Sequence, residues 1–429
     1  MAAAAPNELS ACDIVRSVRE GALTAEAVTR ACLDRIAARE DIVKAWAFID
    51  PALALRQARD RDRAKLKGPL HGLPIGVKDI LDTNDMPTDM GSPIYRGNRP
   101  AADASCVAQV RAAGAVILGK TITCEFAGLT PNVTRNPHDP ARTPGGSSSG
   151  SAAAVADRMV HVAFGTQTGG SVLRPASFCG VVGYKPTYNI ISRGGMKFAA
   201  ESRDTIGLLA RTVEDVDLVA SVLTGREPAK FHNTPPRIAL CRTHLWDHAA
   251  PESKHAVEDA AKRLHVIGGA VLPPTFDALA EARTIVNPFE RARALAHEWN
   301  TNPALISPGL TAQIEKGLAI PYARYTASLQ RIKDCRDLIP VLFGDADILL
   351  APCVIGEAPK GLETTGEPMF QEFWTALHVP TITLPTHRGP NGLPVGIQLV
   401  ARHYADEALL AFAKIIFERL GASAHAAAA

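Results

Sequence analysis

Residues 144–151 read PGGSSSGS and residues 165–171 read GTQTGGS, so two clusters of glycine and serine lie close together in the sequence. Glycine allows backbone conformations in which successive N–H groups converge, and both clusters are therefore predicted to form tight loops. A phosphate-binding P-loop has a lysine and then a serine or threonine directly after its last glycine. Here Gly150 is followed by Ser151 and Ala152, which argues against phosphate binding and favours hydroxyl chemistry.

Short apolar runs and helical patterns alternate on both sides of the two loops. Residues 73–77, 115–118 and 160–164 have the composition of buried strands. Residues 104–113 and 213–223 have helical periodicity. This alternation indicates an α/β fold with a large mixed, mostly parallel twisted sheet that is sandwiched between helical layers.

One domain is expected to cover residues 1–421. Near its start, Thr24 is a suitable N-cap for a helix that begins at Ala25. A polar, proline-containing seam over residues 224–236 separates two halves. We therefore expect an N-terminal helical layer over 6–65, a core with both serine loops over 66–223, a C-terminal half over 237–421 and a disordered tail over 422–429.

The composition is that of a globular protein, since 46% of the 429 residues are hydrophobic and 21% are charged. The formal net charge of +2 provides no strong field that would attract nucleic acid or a membrane surface, and neither is an expected partner. The eight cysteines include no CxxC pair, so neither a metal site nor a disulfide framework is expected. A secretory leader and an apolar run of about 20 residues are both absent, which predicts a cytoplasmic location.

The serine loops can supply most parts of a hydrolytic site, which needs a hydroxyl nucleophile, a proton acceptor and N–H donors for an oxyanion. Gly169, Gly170 and Ser171 follow a predicted strand, where their N–H groups can converge at a sharp turn. No GxSxG motif is present, and none of the 13 histidines lies in a recognisable hydrolase motif. Lys78, in the apolar run 73–80, is a candidate base if burial makes it neutral. Taken alone, a lysine at a strand end is more often a solvated surface residue.

The sequence resembles the amidase signature family. The similarity rests on PGGSSSGSAAAV at residues 144–155, on GTQTGGSVLRPASFCGVVGYKP at residues 165–186, and on the lysine-bearing strand Gly76–Ile80. It continues over nearly the whole chain through shorter segments at residues 119–121, 125–127, 205–208, 349–352 and 392–396. The resemblance implies the amidase signature fold and the hydrolysis of amide C–N bonds.

The resemblance also implies a Ser–Ser–Lys triad. Ser171 closes the TGGS turn and matches the family's nucleophile, while Ser147 matches the bridging serine that follows a cis peptide bond. Lys78 matches the family's lysine, which as a neutral base draws a proton through Ser147 while Ser171 attacks the amide carbonyl. The implied oxyanion hole consists of the backbone N–H groups of Thr168, Gly169, Gly170 and Ser171.

The sequence departs from the family pattern beside Ser171. Many members carry an aspartate four residues before the nucleophile and an arginine two residues after it, where this chain has Gln167 and Leu173, with the arginine displaced to Arg174. This pattern is similar to that of malonamidase and compact bacterial amidases, and it implies that Arg174 contacts a substrate carboxylate. The alternative is a structural arginine that satisfies loop carbonyls. Position relative to the family motifs suggests two further substrate-binding residues, Gly91 and Phe126.

The predicted activity is that of a serine amidohydrolase that cleaves a small amide, including carboxylate-bearing amides and carbamates but not peptide bonds. We expect a small-molecule amide substrate, a homodimer, and no cofactor, metal, nucleic acid or membrane partner. The alternative is the amidase-like subunit of a tRNA-dependent amidotransferase, which would use the same catalytic residues together with protein partners and nucleic acid. The short chain and the Gln167, Leu173 and Arg174 pattern favour the first function.

Overall fold

Helices and strands alternate in the computed structural model, which describes residues 4–230 and 235–421. The α-helices of this part of the chain are α1 (Ala11–Glu20), α2 (Ala25–Val43), α3 (Pro51–Arg63), α4 (Ser105–Ala112), α5 (Ser149–Ala156), α6 (Leu173–Cys179), α7 (Val213–Thr224), α8 (Pro251–Arg263), α9 (Ala278–Ala294), α10 (Ala296–Thr301), α11 (Pro308–Leu318), α12 (Tyr322–Asp337), α13 (Ile339–Phe343), α14 (Met369–Ala376) and α15 (Asp406–Gly421). The strands are β1 (Trp46–Ile49), β2 (Pro74–Lys78), β3 (Val116–Thr121), β4 (Val162–Gln167), β5 (Val182–Lys185), β6 (Thr205–Ala210), β7 (Ile238–Leu240), β8 (Gly268–Gly269), β9 (Ile348–Pro352), β10 (Thr381–Arg388) and β11 (Pro394–Val400).

The described strands form one 11-stranded mixed sheet in the order β1-β3-β2-β4-β6-β5-β10-β11-β9-β7-β8. This confirms the predicted α/β fold with a large mixed sheet. The expected predominance of parallel pairing is wrong, because six of the pairings between these strands are antiparallel and four are parallel. One cause is the short connection between β10 and β11, which can only reverse the chain.

Alternate residues of each central strand face opposite sides of the sheet, as the pleat requires. Ile117 and Leu208 belong to the largest apolar cluster, together with α1, α4, α7 and α15. Their sequence neighbours Leu118 and Leu209 belong to a cluster on the other face, with α2 and α5. A third cluster joins β9 to α9, α12, α13 and α14. The sheet is therefore buried on both faces, as the continuous apolar runs predicted.

Strand order places the two most informative motifs at one edge of the sheet. β2 lies between β3 and β4 and is parallel to both, with Ile75 opposite Val162 in β4. Lys78 and Gln167 are consequently the carboxyl-terminal residues of neighbouring parallel strands. Ligand sites of open α/β sheets occur beyond such strand ends.

Local signals set several helix boundaries. The side chain of Thr24 accepts a hydrogen bond from the N–H of Ala27, which confirms the predicted N-cap. Helices α1 and α7 end at Gly21 and Gly225, both in the left-handed conformation that glycine adopts without strain. The division into a helical layer, a core and a C-terminal half stays a prediction, and the tail predicted over 422–429 lies outside the described residues. Within residues 4–230 and 235–421, no helix has the length and apolar character needed to span a bilayer.

Candidate active site

Lys78 is fully buried at the end of β2. Its Nζ atom lies 2.8 Å from the Oγ of Ser147 and 2.8 Å from the Oγ1 of Thr166. Thr166 belongs to β4, the neighbour of β2, so the sheet itself positions this second contact. The structure thus brings together the lysine and the bridging serine of the predicted triad.

Burial changes the proton affinity of Lys78. Desolvation lowers the pKa of its amine from the ordinary 10.5 to about 7, while Cys124 and Asp204 act weakly in the opposite direction. Its hydrogen-bond partners in the described chain are uncharged. Lys120 is also fully buried, but it forms an ion pair with Asp79 at 3.1 Å. Lys78 can therefore exist as a neutral amine near pH 7 and accept a proton.

Ser147 lies in the first glycine–serine loop, where the Gly146–Ser147 peptide bond is cis. Its carbonyl accepts a hydrogen bond from the N–H of Cys124 at 3.2 Å. The next residue, Ser148, donates its N–H to the carbonyl of Ser171 at 3.3 Å. These backbone contacts hold the first loop directly beside the second, so the three residues of the predicted triad lie in one region.

Ser171 lies in the turn between β4 and α6 and lines a cavity. Among the described residues, the N–H groups of Gly169, Gly170 and Ser171 have no acceptor, and Thr168 lines the same cavity. Unpaired N–H groups that converge at a turn are what an oxyanion hole requires. The lack of internal acceptors and the position at the cavity agree with the proposed hole, and the roles of these residues stay predictions.

Two glycines of this turn make room for α14. A Cβ atom on Gly169 would lie 2.7 Å from the Cγ of Glu372, and one on Gly170 would lie 3.0 Å from the Cδ of Gln371. Both distances are shorter than ordinary van der Waals contact, so a larger residue would displace the side chains of Glu372 and Gln371. The double glycine therefore lets the C-terminal half of the chain cover the serine turn closely.

Gln167 occupies the position of the family's aspartate and ties the turn together. Its Oε1 accepts hydrogen bonds from the N–H groups of Val172 at 2.9 Å and Leu173 at 3.1 Å. Its Nε2 donates to the Oγ1 of Thr375 at 2.9 Å, and this hydroxyl donates to the carbonyl of Gly169 at 2.7 Å. A neutral amide thus fixes both ends of the turn without an ion pair.

The cavity beside Ser171 has a volume of about 480 Å³. Its wall combines the serine turn with α9 and with the loop before α14, so both halves of the chain contribute. Its charged lining residues are Arg174, Arg283, Arg291, Lys316, Glu363, Glu367 and Glu372. A cavity of this size and polarity can hold a small polar substrate. In residues 4–230 and 235–421, no group of three His, Cys, Asp or Glu side chains could hold a metal ion.

Arg174 is 2% exposed and lines this cavity. Its Nη2 donates to the carbonyl of Gly146 at 2.6 Å and to the Oγ1 of Thr365 at 3.0 Å. Its Nε and Nη1 are buried without an acceptor in the described chain, and desolvation lowers the pKa of the guanidinium to about 10. One nitrogen of the side chain therefore supports the Ser147 loop, as expected for a structural arginine that satisfies loop carbonyls. A substrate contact through the other nitrogens stays a prediction.

Gly91 and Phe126 do not line the cavity. Phe126 is fully buried and packs edge-on against Tyr95, with 6.0 Å between ring centroids. A Cβ atom on Gly91 would lie 2.8 Å from the carbonyl oxygen of Thr123, so this glycine permits a close backbone approach. Nearness to a motif in the sequence did not determine which way the side chain points. The residues after Phe126 line the cavity instead, namely Ala127, Gly128 and Leu129.

Three residues near the site were not predicted from the sequence, namely Thr166, Thr375 and Arg291. The sequence contained a signal for Arg291, because Arg283, Asn287 and Arg291 are spaced by four residues and so share the polar face of the amphipathic helix α9. Nothing local marks Thr166 or Thr375. Their contacts depend on the pairing of β2 with β4 and on the position of α14 against the turn.

Comparison with known proteins gives curated relatives of similar length. One is a glutamyl-tRNA(Gln) amidotransferase subunit of Chloroflexus aggregans, which is 32% identical over 450 residues that cover 91% of this chain and 92% of that protein. The corresponding subunit of Roseiflexus castenholzii is 35% identical over 447 residues, which cover 91% of each protein. The similarity therefore extends over almost the whole of both chains.

These relatives correct our expectations about partners. Each is named as a subunit of an amidotransferase for glutamyl-tRNA(Gln), and so belongs to an assembly that handles nucleic acid. The expectation of a homodimer that acts on a small amide alone, without other subunits or nucleic acid, is therefore wrong. The exclusion of nucleic acid rested on a net charge of +2, which describes the attraction of polyanions to this chain alone and not to an assembly.

Two further comparisons concern the fold and the family. A solved structure described as that of an amidase superposes with a TM-score of 0.88 at 29% identity, covering 96% of this chain and 100% of that one. The Amidase family profile matches residues 27–410. The chain, with its serine turn facing a polar cavity, therefore belongs to the amidase family and is a hydrolase of carbon–nitrogen bonds.

Proposed function

We propose that the chain hydrolyses the C–N bond of a carboxamide through an acyl-enzyme on Ser171, with Lys78 acting as the base through Ser147. The observation that carries this proposal is the 2.8 Å contact between the Nζ of Lys78 and the Oγ of Ser147, in a buried site beside the turn of Ser171. A lysine with a pKa of about 7 is poised to exchange protons at neutral pH.

In each step of this mechanism, a residue of the site accepts or donates the proton that moves. When the Oγ of Ser171 attacks the carbonyl carbon, its proton passes to Ser147 and a proton of Ser147 passes to Lys78. The oxyanion that forms is stabilised by the N–H groups of Gly169, Gly170 and Ser171. The same relay in reverse protonates the departing amine, and a water molecule then hydrolyses the ester. Overall, the reaction converts a carboxamide and water into a carboxylic acid and an amine or ammonia.

The chain acts in this proposal as the amidase-type subunit of a tRNA-dependent amidotransferase. Support comes from the curated relatives, which carry this function in their names and match the chain over nine-tenths of its length. Hydrolysis at Ser171 would release ammonia from an amide donor, and the other subunits would transfer the nitrogen to the glutamyl group on tRNA.

The test is a reconstitution with the remaining subunits of an amidotransferase from one of these relatives. The mixture receives glutamyl-tRNA(Gln), an amide donor and ATP, and conversion of the glutamyl group to glutaminyl is followed. The proposal predicts transfer with the unmodified chain and none with Ser171→Ala. If the chain releases ammonia equally well with and without those subunits but supports no transfer, the amidotransferase role is refuted and hydrolysis at Ser171 stands.

A further inference from the structure

A buried carboxylate, that of Asp204, lies directly beside the serine turn. β4 and β6 are antiparallel neighbours, and Gln167 at the end of β4 pairs with Thr205 at the start of β6. The next pair in this register is Thr168 and Asp204, so the sheet brings the first residue of the turn opposite an aspartate. Asp204 is 3% exposed and does not line the cavity. It can therefore act on the chemistry only through the residues that it contacts.

Asp204 uses both carboxylate oxygens to join the turn to the loop that precedes β6. Its Oδ1 accepts a hydrogen bond from the Oγ1 of Thr168. Its Oδ2 accepts hydrogen bonds from the N–H groups of Ala199 at 2.6 Å and Ala200 at 2.9 Å. Desolvation raises the pKa of this carboxyl, while the bonds from the three donors act in the opposite direction. A buried carboxylate with donors on both oxygens ties those donors to one another.

The loop that carries this aspartate is itself anchored to α9. The N–H of Ser202 donates to the carboxylate of Glu290 at 2.9 Å, and the guanidinium of Arg203 donates to the side chain of Asn287 at 2.7 Å. Both acceptors belong to α9. The carboxylate is thus part of a frame that joins β6 to α9, and the serine turn is held against this frame.

The hydroxyl of Thr168 has no other hydrogen-bond partner among the described residues. The contact between Thr375 and the carbonyl of Gly169 holds the turn farther along the chain and does not reach Thr168. The N–H of Gly169 belongs to the peptide group that follows Thr168, so its direction depends on the backbone conformation of Thr168. The contact with Asp204 therefore fixes the side of the turn from which this N–H group points.

We propose that Asp204 is a positioning residue that holds the serine turn in its reactive conformation through the hydroxyl of Thr168. This inference rests on the proposed attack by Ser171. Preorganised N–H donors stabilise an oxyanion because they need no reorientation when its charge develops. Arg203 and Arg291 lie close enough to Asp204 to interact with its charge. The carboxylate can therefore fix the turn without leaving an uncompensated negative charge beside the oxyanion.

The first test measures the maximal rate, kinact, and the half-saturating concentration, KI, for labelling of Ser171 in the full chain by a fluorophosphonate. In this reaction the Oγ of Ser171 displaces fluoride from phosphorus, and the phosphoryl oxygen takes the place of the oxyanion. Thr168→Val keeps the shape of the side chain but removes its donor. It should lower kinact by about 10-fold with KI little changed, a smaller effect than the roughly 100- to 1,000-fold loss that follows removal of an oxyanion donor. Thr168→Ser restores the hydroxyl and should recover most of the rate.

Thr187→Val is the matched control. Thr187 is buried and donates its Oγ1 to the Oδ2 of Asp406, a second buried carboxylate whose Oδ1 accepts two further hydrogen bonds. Neither residue lines the cavity. Because the same kind of contact is lost, the Tm should fall by a similar amount in both valine variants, whereas kinact should fall only in Thr168→Val. An unchanged kinact in Thr168→Val, or an equal loss of kinact in both variants, would overturn the proposal.

A double-mutant cycle tests whether Asp204 acts through Thr168. If it does, Asp204→Ala should lower kinact in the unmodified chain but cause no further loss in Thr168→Val. Losses that multiply in the double variant would show that the two residues act independently, and would overturn the proposal. Circular dichroism checks the fold of Asp204→Ala, and the Thr168 variants decide the proposal by themselves if this variant does not fold.

The same labelling separates this inference from the proposed function. If the unmodified chain is not labelled on Ser171, the proposed function is refuted and the role of Asp204 is refuted with it. If Ser171 is labelled and Thr168→Val reacts as fast as the unmodified chain, attack by Ser171 stands and only the role of Asp204 is refuted.

Discussion

Replacing Lys78 with methionine should remove a specific pH dependence of folding stability. Desolvation holds the pKa of Lys78 at about 7 in the folded chain, against 10.5 for an ordinary lysine. Between these values the unfolded chain binds the proton and the folded chain does not, so the free energy of unfolding rises with pH from about 7 to 10.5 and falls as pH returns toward 7. With about 1.4 kcal/mol for each pKa unit, the unmodified chain should gain about 2 kcal/mol over Lys78→Met between pH 7 and pH 9.

The assay is urea unfolding of both proteins at pH 7, 8 and 9, with the difference between their unfolding free energies plotted against pH. Other titrating groups cancel in this difference, including Lys185, a second buried lysine whose pKa desolvation lowers to about 7. Lys262→Met serves as a control, because Lys262 is exposed on α8. A difference that is constant from pH 7 to pH 9 would refute the conclusion that Lys78 is neutral in the folded protein.

Three other outcomes follow from the site and its surroundings. The kcat/KM for amide hydrolysis should rise with pH through about 7, as Lys78 loses its proton and becomes a base; a rate profile that is flat from pH 6 to pH 8 would contradict this. Thr375→Val removes the donor to the Gly169 carbonyl and should lower kcat by about 10-fold with KM little changed. Thr326→Val is its control, because Thr326 lies on α12 and does not line the cavity. An unchanged kcat in Thr375→Val would show that the turn keeps its conformation without this hydroxyl. Lys120→Met leaves the buried carboxylate of Asp79 without its cationic partner and should lower the free energy of unfolding by about 3–5 kcal/mol in denaturant titrations. This loss should shrink as pH falls toward 6, because desolvation raises the pKa of Asp79 to about 6 even beside Lys120, and removal of the cation raises it further.

The elements of this fold could be predicted from local sequence because the signals that set them are local. The apolar run 73–77 became β2 and the threonine cap at Thr24 began α2, each within a residue of its expected position. The direction of strand pairing could not be predicted, because it depends on which strands become neighbours. For example, β6 lies between β4 and β5 in the sheet, although β4 and β5 are consecutive strands in the sequence.

The residues of the candidate site also fall into those that could be predicted from the sequence and those that could not. Lys78, Ser147 and Ser171 could be proposed from the resemblance to the amidase signature motifs, and the structure places them in one buried region. Arg291 and Thr375 could not, because each lies more than a hundred residues from the serine turn and reaches it only through the packing of α9 and α14. An arginine in an amphipathic helix ordinarily faces water, and only the folded chain reveals that this one is buried without a partner.

The most direct test of the account is to identify the serine that becomes acylated. The chain is treated with a serine-directed fluorophosphonate, digested, and mapped by mass spectrometry, alongside Ser171→Ala and Ser147→Ala. The account predicts a single adduct on the peptide that contains Ser171, none in Ser171→Ala, and slower labelling of Ser171 in Ser147→Ala. An adduct on another serine of the two loops, or labelling that persists in Ser171→Ala, would contradict it.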